Sequence, residues 1–379
     1  MLQSFMARFT ESGRVPETNH VEPDETTEEN MDKHSHLIAQ LKDRVKDVKP
    51  LEDDVDFFRK EETLTRFLKA REWKLNDAES LLRATIDWRR ENRPLQMDCR
   101  WCRERPGFHN MRQVGFDELG RPIIYACFAQ AATHKNTVDD SIAHVTYLIE
   151  NAKQTMKPGV TTWVFIIDCT GMTLPACNPR LGYGVTQIMS NFYPERLGLV
   201  ICLNHSPVFQ GVWNAIKVFL HPNTVAKMKL IRSKKKRMDV FNKYFSAEMV
   251  KWLSTEIKNN KQRPLATTQQ EFWKGPISPM DHDPRGAPSY VAEYIDSFPM
   301  RMNRKGTHKP HPNIIDFYTG RLAELSRSPD VRRRAGADQR DAAMANGDES
   351  DADDDADAPE LEIDEEFQIP KDAKPVYLL

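Results

Sequence analysis

Two neighbouring segments bring together residue types that act on the same kind of partner. Between Ser206 and Leu220 stand Val208, Phe209, Val212, Trp213, Ala215, Ile216, Phe219 and Leu220, interrupted mainly by Gln210, Asn214 and Lys217. At helical spacing this is a helix apolar around most of its girth. It is either a buried core helix, or one that lines an apolar cavity on one side and meets a membrane on the other. Lys227, Lys229, Arg232, Lys234, Lys235, Lys236 and Arg237 follow closely. A charge run by itself is a solvated face. Behind so apolar a helix it makes an anionic membrane the favoured partner. Apolar burial at the headgroup boundary then adds to roughly 1 kcal/mol per basic residue. Nucleic acid, the competing anion, calls for basic residues interleaved with exposed aromatics or for a docking motif, and neither is present.

Signatures of catalysis are missing. The chain has no Gly-x-x-x-x-Gly-Lys loop, no Gly-x-Gly-x-x-Gly, no Gly-x-Ser-x-Gly and no His-Glu-x-x-His. Cys99-x-x-Cys102 is half of a zinc site, without a second pair at finger spacing. Asp281-His282-Asp283 falls among prolines and reads as an exposed loop. No enzyme activity, metal or cofactor is therefore expected.

The elements that must position these segments follow from periodicity. Leu37, Leu41 and Val45 form one helical stripe. A second helix spans Glu61 to Arg71 with Leu64, Phe67 and Leu68 inward. A third starts at Asn76, with Glu79 as its capping-box partner, buries Leu81, Leu82, Thr85, Ile86 and Trp88, and stops before Pro94. The pattern then changes. Asp117-Glu118-Leu119-Gly120 is a turn, Pro122 to Phe128 a strand, Val138 to Met156 a helix, and Thr161 to Asp168 a strand covered on both faces. Asn178-Pro179 opens a helix to about Phe192, Leu199 to Leu203 is another buried strand, and Ser206-Pro207 opens the apolar helix that His221-Pro222 stops. Alternating helices and buried strands predict an α/β domain with a largely parallel sheet.

The flanks differ in composition. Residues 1–35 read as disordered, 36–94 as a helical unit, 95–262 as the α/β domain, 263–327 as a Pro-rich extension, and 328–379 as an acidic low-complexity tail. Across 379 residues the net charge is only −2, but residues 348–366 hold acids and no base, so the rest is a basic body. Seven Trp and 39% hydrophobic residues are enough for a sizeable core. No apolar run is long enough for a membrane-spanning helix, and the first residues lack a signal peptide's apolar stretch. Six cysteines without a secretory signal suggest reduced thiols in the cytosol.

The sequence resembles the CRAL-TRIO lipid-binding family over residues 37–260. The resemblance is carried by Leu64-Thr65-Arg66-Phe67-Leu68-Lys69-Ala70-Arg71, Trp88-Arg89-Arg90, Gly120-Arg121-Pro122 and Ile167-Asp168-Cys169-Thr170-Gly171. It continues in Asn191-Phe192-Tyr193-Pro194-Glu195-Arg196-Leu197-Gly198 and Phe219-Leu220-His221-Pro222-Asn223-Thr224. It implies a mostly parallel sheet flooring an apolar pocket, a mobile gate helix at Ser206 to Leu220, and a helical N-terminal unit. It further implies a monomeric, cytosolic and peripherally membrane-associated carrier of phosphatidylinositol or a phosphoinositide.

In the phosphatidylinositol-transfer branch, Arg71, Glu195, Thr224 and Lys227 match the headgroup cluster; a plain Arg71–Glu195 salt bridge is the alternative. The membrane-facing cations would be Lys229, Arg232, Lys234, Lys235, Lys236 and Arg237. Trp163, Phe165 and Ile124 stand where members that carry phosphatidylcholine place hydroxyls. An unpaired buried phosphate is costly, so phosphatidylcholine exchange is not expected. A sterol, squalene, tocopherol or retinoid is the alternative ligand, and a lipid-regulated adaptor using the acidic tail the alternative role. His221 replaces the family's usual Asp, a departure that bears on gating.

Overall fold

The computed structural model describes residues 34–95, 107–130, 137–173, 176, 179–272 and 282–292. Cys99-x-x-Cys102, the N-terminal segment before residue 34 and the acidic tail lie outside the described residues.

Helices α1 (Ser35–Arg44), α2 (Glu61–Lys69) and α3 (Leu75–Asn92) form the N-terminal unit. Their stripes meet in one core of Ile38, Leu41, Val45, Leu64, Phe67, Leu68, Leu82 and Ile86. Each such side chain contributes roughly 1.5–3 kcal/mol on burial. The capping box is not formed. Helix α3 starts one residue earlier, behind Lys74, with no side-chain cap. Asn76 instead accepts from Arg44 at 2.6 Å and Glu79 pairs with Arg83 at 3.0 Å, so both polar groups tie helices together.

The sheet runs in the order β1-β2-β3-β4-β5, with β1 (Arg112–Phe116) antiparallel to β2 (Pro122–Cys127). Strands β3 (Trp163–Asp168), β4 (Leu197–Leu203) and β5 (Met228–Ile231) add in parallel. The expected turn links β1 to β2: the Asp117 carboxylate accepts from the Leu119 and Arg121 amides at 3.0 and 2.8 Å. Helix α4 (Val138–Gln154) leads to β3, α5 (Pro179–Phe192) to β4, and α6 (Pro207–Lys217) with the short α7 (Pro222–Ala226) to β5. Helices α8 (Lys234–Tyr244), α9 (Ala247–Asn260) and the one-turn α10 (Thr267–Gln270) follow.

Alternation along the strands sorts the sheet into two faces. Ile123, Tyr125, Val164, Ile166, Ile201 and Leu203 point to one, under Phe241, Phe245, Met249, Trp252 and Leu253 of α8, α9 and the link between them. Ala287, Tyr290 and Val291 join this core, so the Pro-rich segment also supplies packing. Ile124, Trp163, Phe165, Val200 and Cys202 point to the other face, toward α4, α5 and α6.

A polar network lies within the first face. The Arg112 guanidinium donates to the Glu256 carboxylate at 2.9 Å, to the Asn110 carbonyl at 3.0 Å and to the Pro284 carbonyl at 2.9 Å. His282 meets the same carboxylate at 2.6 Å and stacks on Trp252, so His282 and Asp283 are not in an exposed loop; Asp281 lies outside the described residues. Burial raises the pKa of Glu256, but the His282 hydrogen bond and Arg112 outweigh it and hold the carboxyl below its usual range.

Candidate functional site

Ser206 caps α6, its hydroxyl accepting from the Phe209 amide at 3.2 Å, with Pro207 at the first helical position. The helix ends at Lys217, so Phe219 and Leu220 sit in the turn beyond it. Of its apolar residues only Ile216 is buried; Val208, Phe209, Val212 and Trp213 are half-buried, and Val218 just after it is 60% exposed. The buried-core reading of this helix does not hold. Its main seat is α5. Ile216 packs so close to Gly182 that a β-carbon there would fall 2.5 Å from its Cδ1, and Phe219 meets Tyr183 edge-on at 5.7 Å.

Beneath α5 and α6 the sheet offers Ile124, Trp163 and Phe165, at 1%, 0% and 7% exposure. Ile167, Met228 and Leu230 of the same face, with Ile188 and Met189 of α5 and Phe209 of α6, are only partly buried. No hydroxyl stands at positions 124, 163 or 165. The indole Nε1 of Trp163 is buried without a hydrogen-bond partner among the described residues.

The headgroup candidates come from three places. Arg71 follows α2, just before Glu72 and Trp73, which both adopt left-handed backbone with φ of 51° and 62°. Arg71 is half-buried, its Nη1 donates to the Ala70 carbonyl at 3.2 Å, and burial lowers its guanidinium pKa. Glu195, also left-handed, leads from α5 into β4. Thr224 and Lys227 lie in and just after α7.

The alternative, a plain Arg71–Glu195 bridge, is not formed. Glu195 Oε2 instead lies 3.7 Å from Lys227 Nζ and 4.0 Å from Lys69 Nζ. Lys69 was missed in the sequence, although it stands two residues before Arg71 in the same motif. These side chains are roughly a fifth to a third exposed, a setting where each pair contributes less than about 1 kcal/mol. Among the described residues no carboxylate lies within 4 Å of Arg71.

His221 takes the part an Asp would play. Its Nδ1 accepts from the Asn223 amide at 3.2 Å, capping α7. Its Nε2 lies 4.0 Å from Glu72 of the helical unit, so the segment after α6 touches the loop that carries Arg71.

Lys229 lies on β5, and Lys234, Lys235, Lys236 and Arg237 form the first turn of α8 behind the cap Ser233. Lys229, Arg232 and Lys234 to Lys236 are exposed; Arg237 is half-buried. Cations at a helix N-terminus oppose its dipole, an arrangement that favours an external anion.

Together these features define a class: an α/β domain with one sealed sheet face and one face under a loosely seated apolar helix, behind a three-helix unit. Residues 37–84 match the model of the CRAL/TRIO N-terminal domain, and residues 111–251 that of the CRAL/TRIO domain. These two segments are thus a CRAL/TRIO N-terminal domain and a CRAL/TRIO domain. Two CRAL-TRIO domain-containing proteins of Schizosaccharomyces pombe are 29% and 30% identical, over 44% and 45% of this chain and 17% and 40% of their own lengths. A phosphatidylinositol/phosphatidylcholine transfer protein of Arabidopsis thaliana is 24% identical, over 76% of this chain and 54% of its own. The chain therefore spans about half or less of these relatives.

Proposed function

We propose that this chain binds one phosphatidylinositol-type lipid between the open sheet face and α6, and transfers it between membranes or presents it. The observation that carries this reading is α6 itself. An apolar helix with one buried residue, over a partly exposed apolar face, is stable enough to form and cheap to lift. The acyl chains would lie on Ile167, Met228, Leu230 and Phe209. The headgroup phosphate would meet Arg71 and Lys227, with Glu195 and Thr224 taking inositol hydroxyls. The exposed cations from Lys229 to Lys236 would dock the protein reversibly on an anionic leaflet. The name of the Arabidopsis relative supports the inositol lipid; phosphatidylcholine finds no hydroxyl on Ile124, Trp163 or Phe165.

The test is transfer of labelled phosphatidylinositol between vesicles. Arg71→Ala with Lys227→Ala should lower the rate at least about tenfold, from the loss of two charge-assisted contacts. A double variant that transfers like the wild type would remove the headgroup assignment. A wholly apolar ligand is the second reading, favoured by the same apolar wall; such a cargo would be unaffected by the double variant.

A further inference from the structure

A second concave site lies away from α6, between the helical unit and the α/β domain. Its volume is about 340 Å³, and none of Arg71, Glu195, Thr224 or Lys227 lines it. Six cations do: Lys60, Arg66, Arg89, Lys153, Lys157 and Arg196. The acids on its wall are Asp54 and Glu62. Glu150 stands behind it, binding Arg89 and Lys153, each at 2.8 Å. Glu62 lies 3.3 Å from Arg196 Nη2 and 3.7 Å from Arg66 Nε, and Asp54 3.9 Å from Lys60. Counting Glu150, the cations still outnumber the acids.

Arg89 makes the imbalance specific. Its side chain is 2% exposed, and its face rests 4.6 Å from the centre of the Phe57 ring, which also lines the cleft. Nη1 is used by Glu150, but Nε and Nη2 are buried without a hydrogen-bond partner among the described residues. Buried donors of a cation that find no acceptor lose their hydration without replacement. Lys153 shares the strain: burial, Arg89 and Arg196 together lower its ammonium pKa despite Glu150.

We infer that this cleft binds a small phosphate-bearing anion. A phosphomonoester carries about −1.5 to −2 charges and accepting oxygens that suit a guanidinium edge. The volume leaves room for an organic body beside the phosphate. Bound there, the anion would tie α2 and α3 to the loop before β3 and to the α5–β4 turn, which supply the cleft walls. The phosphate would come either from a soluble metabolite or from a lipid headgroup.

Calorimetry with pyrophosphate, at ionic strength matched by chloride, tests the soluble source. Sedimentation with phosphatidylcholine vesicles, with and without phosphatidylinositol 4-phosphate, tests the lipid source. The variant is Lys60→Glu with Lys157→Glu, both exposed, so that folding is spared and is checked by circular dichroism. Reversal of Lys251 and Lys258, both exposed on α9, is the charge control. Pyrophosphate binding weakened about tenfold or more by the cleft variant, and not by the control, supports the site with a soluble ligand. Vesicle binding that needs the phosphoinositide and is lost only in the cleft variant supports it with a headgroup. If neither binding distinguishes the cleft variant from the control, the inference is overturned.

Discussion

On one face of the sheet, Tyr125, Val164, Ile166 and Ile201 are sealed at 0% exposure beneath α8 and α9. On the other, Ile167, Met228 and Leu230 remain partly exposed beneath an α6 with one buried side chain. Both faces belong to the same strands and are equally apolar, so strand composition does not explain the difference. The covering helices do. The sealed face is also pinned by the Arg112–Glu256–His282 network, whereas α6 rests on α5 through Ile216, Phe219 and an approach that Gly182 permits. One face supplies stability; the other is where we place the lipid.

That contrast is most easily broken by truncation. Trp252→Ala on the sealed face should cost about 3–5 kcal/mol in urea unfolding, and Phe209→Ala on α6 under about 1.5 kcal/mol. Equal losses would show that α6 is a core helix after all.

A smaller effect concerns the rim beyond the open face. Lys234→Ala, Lys235→Ala and Lys236→Ala together should weaken binding to anionic vesicles by up to about 3 kcal/mol at low salt, and less as salt screens the charges. An unchanged affinity would reduce this turn to a solvated surface.

The smallest effect is the pH dependence of the sealed face. The Glu256 carboxyl is held below its usual range, so its contribution is complete above the unfolded pKa of about 4.3 and is lost as pH falls toward the folded value. In that window stability should decline by up to about 1.4 kcal/mol per pH unit for this carboxyl. Glu256→Gln should flatten that part of the profile; an identical acid limb in the variant would assign it to other groups.

Much of this was legible in the sequence. The helical unit, β2, β3, β4 and the mostly parallel sheet follow from periodicity, and the family from its motifs. Strand β1 was hidden because the polar Arg112 and Gln113 break the apolar pattern; Arg112 is buried against partners as distant as Glu256 and Pro284, and Gln113 against Thr155. Strand β5 was hidden inside a run of cations, because Lys229 points outward from an otherwise apolar edge strand. The capping box failed because Asn76 and Glu79 found stronger partners in Arg44 and Arg83. Lys69 displaced Arg71 at Glu195 by a matter of two residues, which a motif cannot resolve. The cations of the second cleft, at positions 66, 89, 153 and 196, are brought together only by the docking of α3 on α4 and α5, through Arg89–Glu150 and the stacking of Trp88 on Phe192 at 4.3 Å.

The central claim, a lipid held on the open face with its phosphate on Arg71 and Lys227, is tested most directly by native mass spectrometry of the protein purified from cells. The account predicts one phosphatidylinositol-class lipid per wild-type chain and a marked loss of that species from the Arg71→Ala, Lys227→Ala variant. Equal occupancy in both proteins, or a sterol or isoprenoid as the sole adduct, would contradict it.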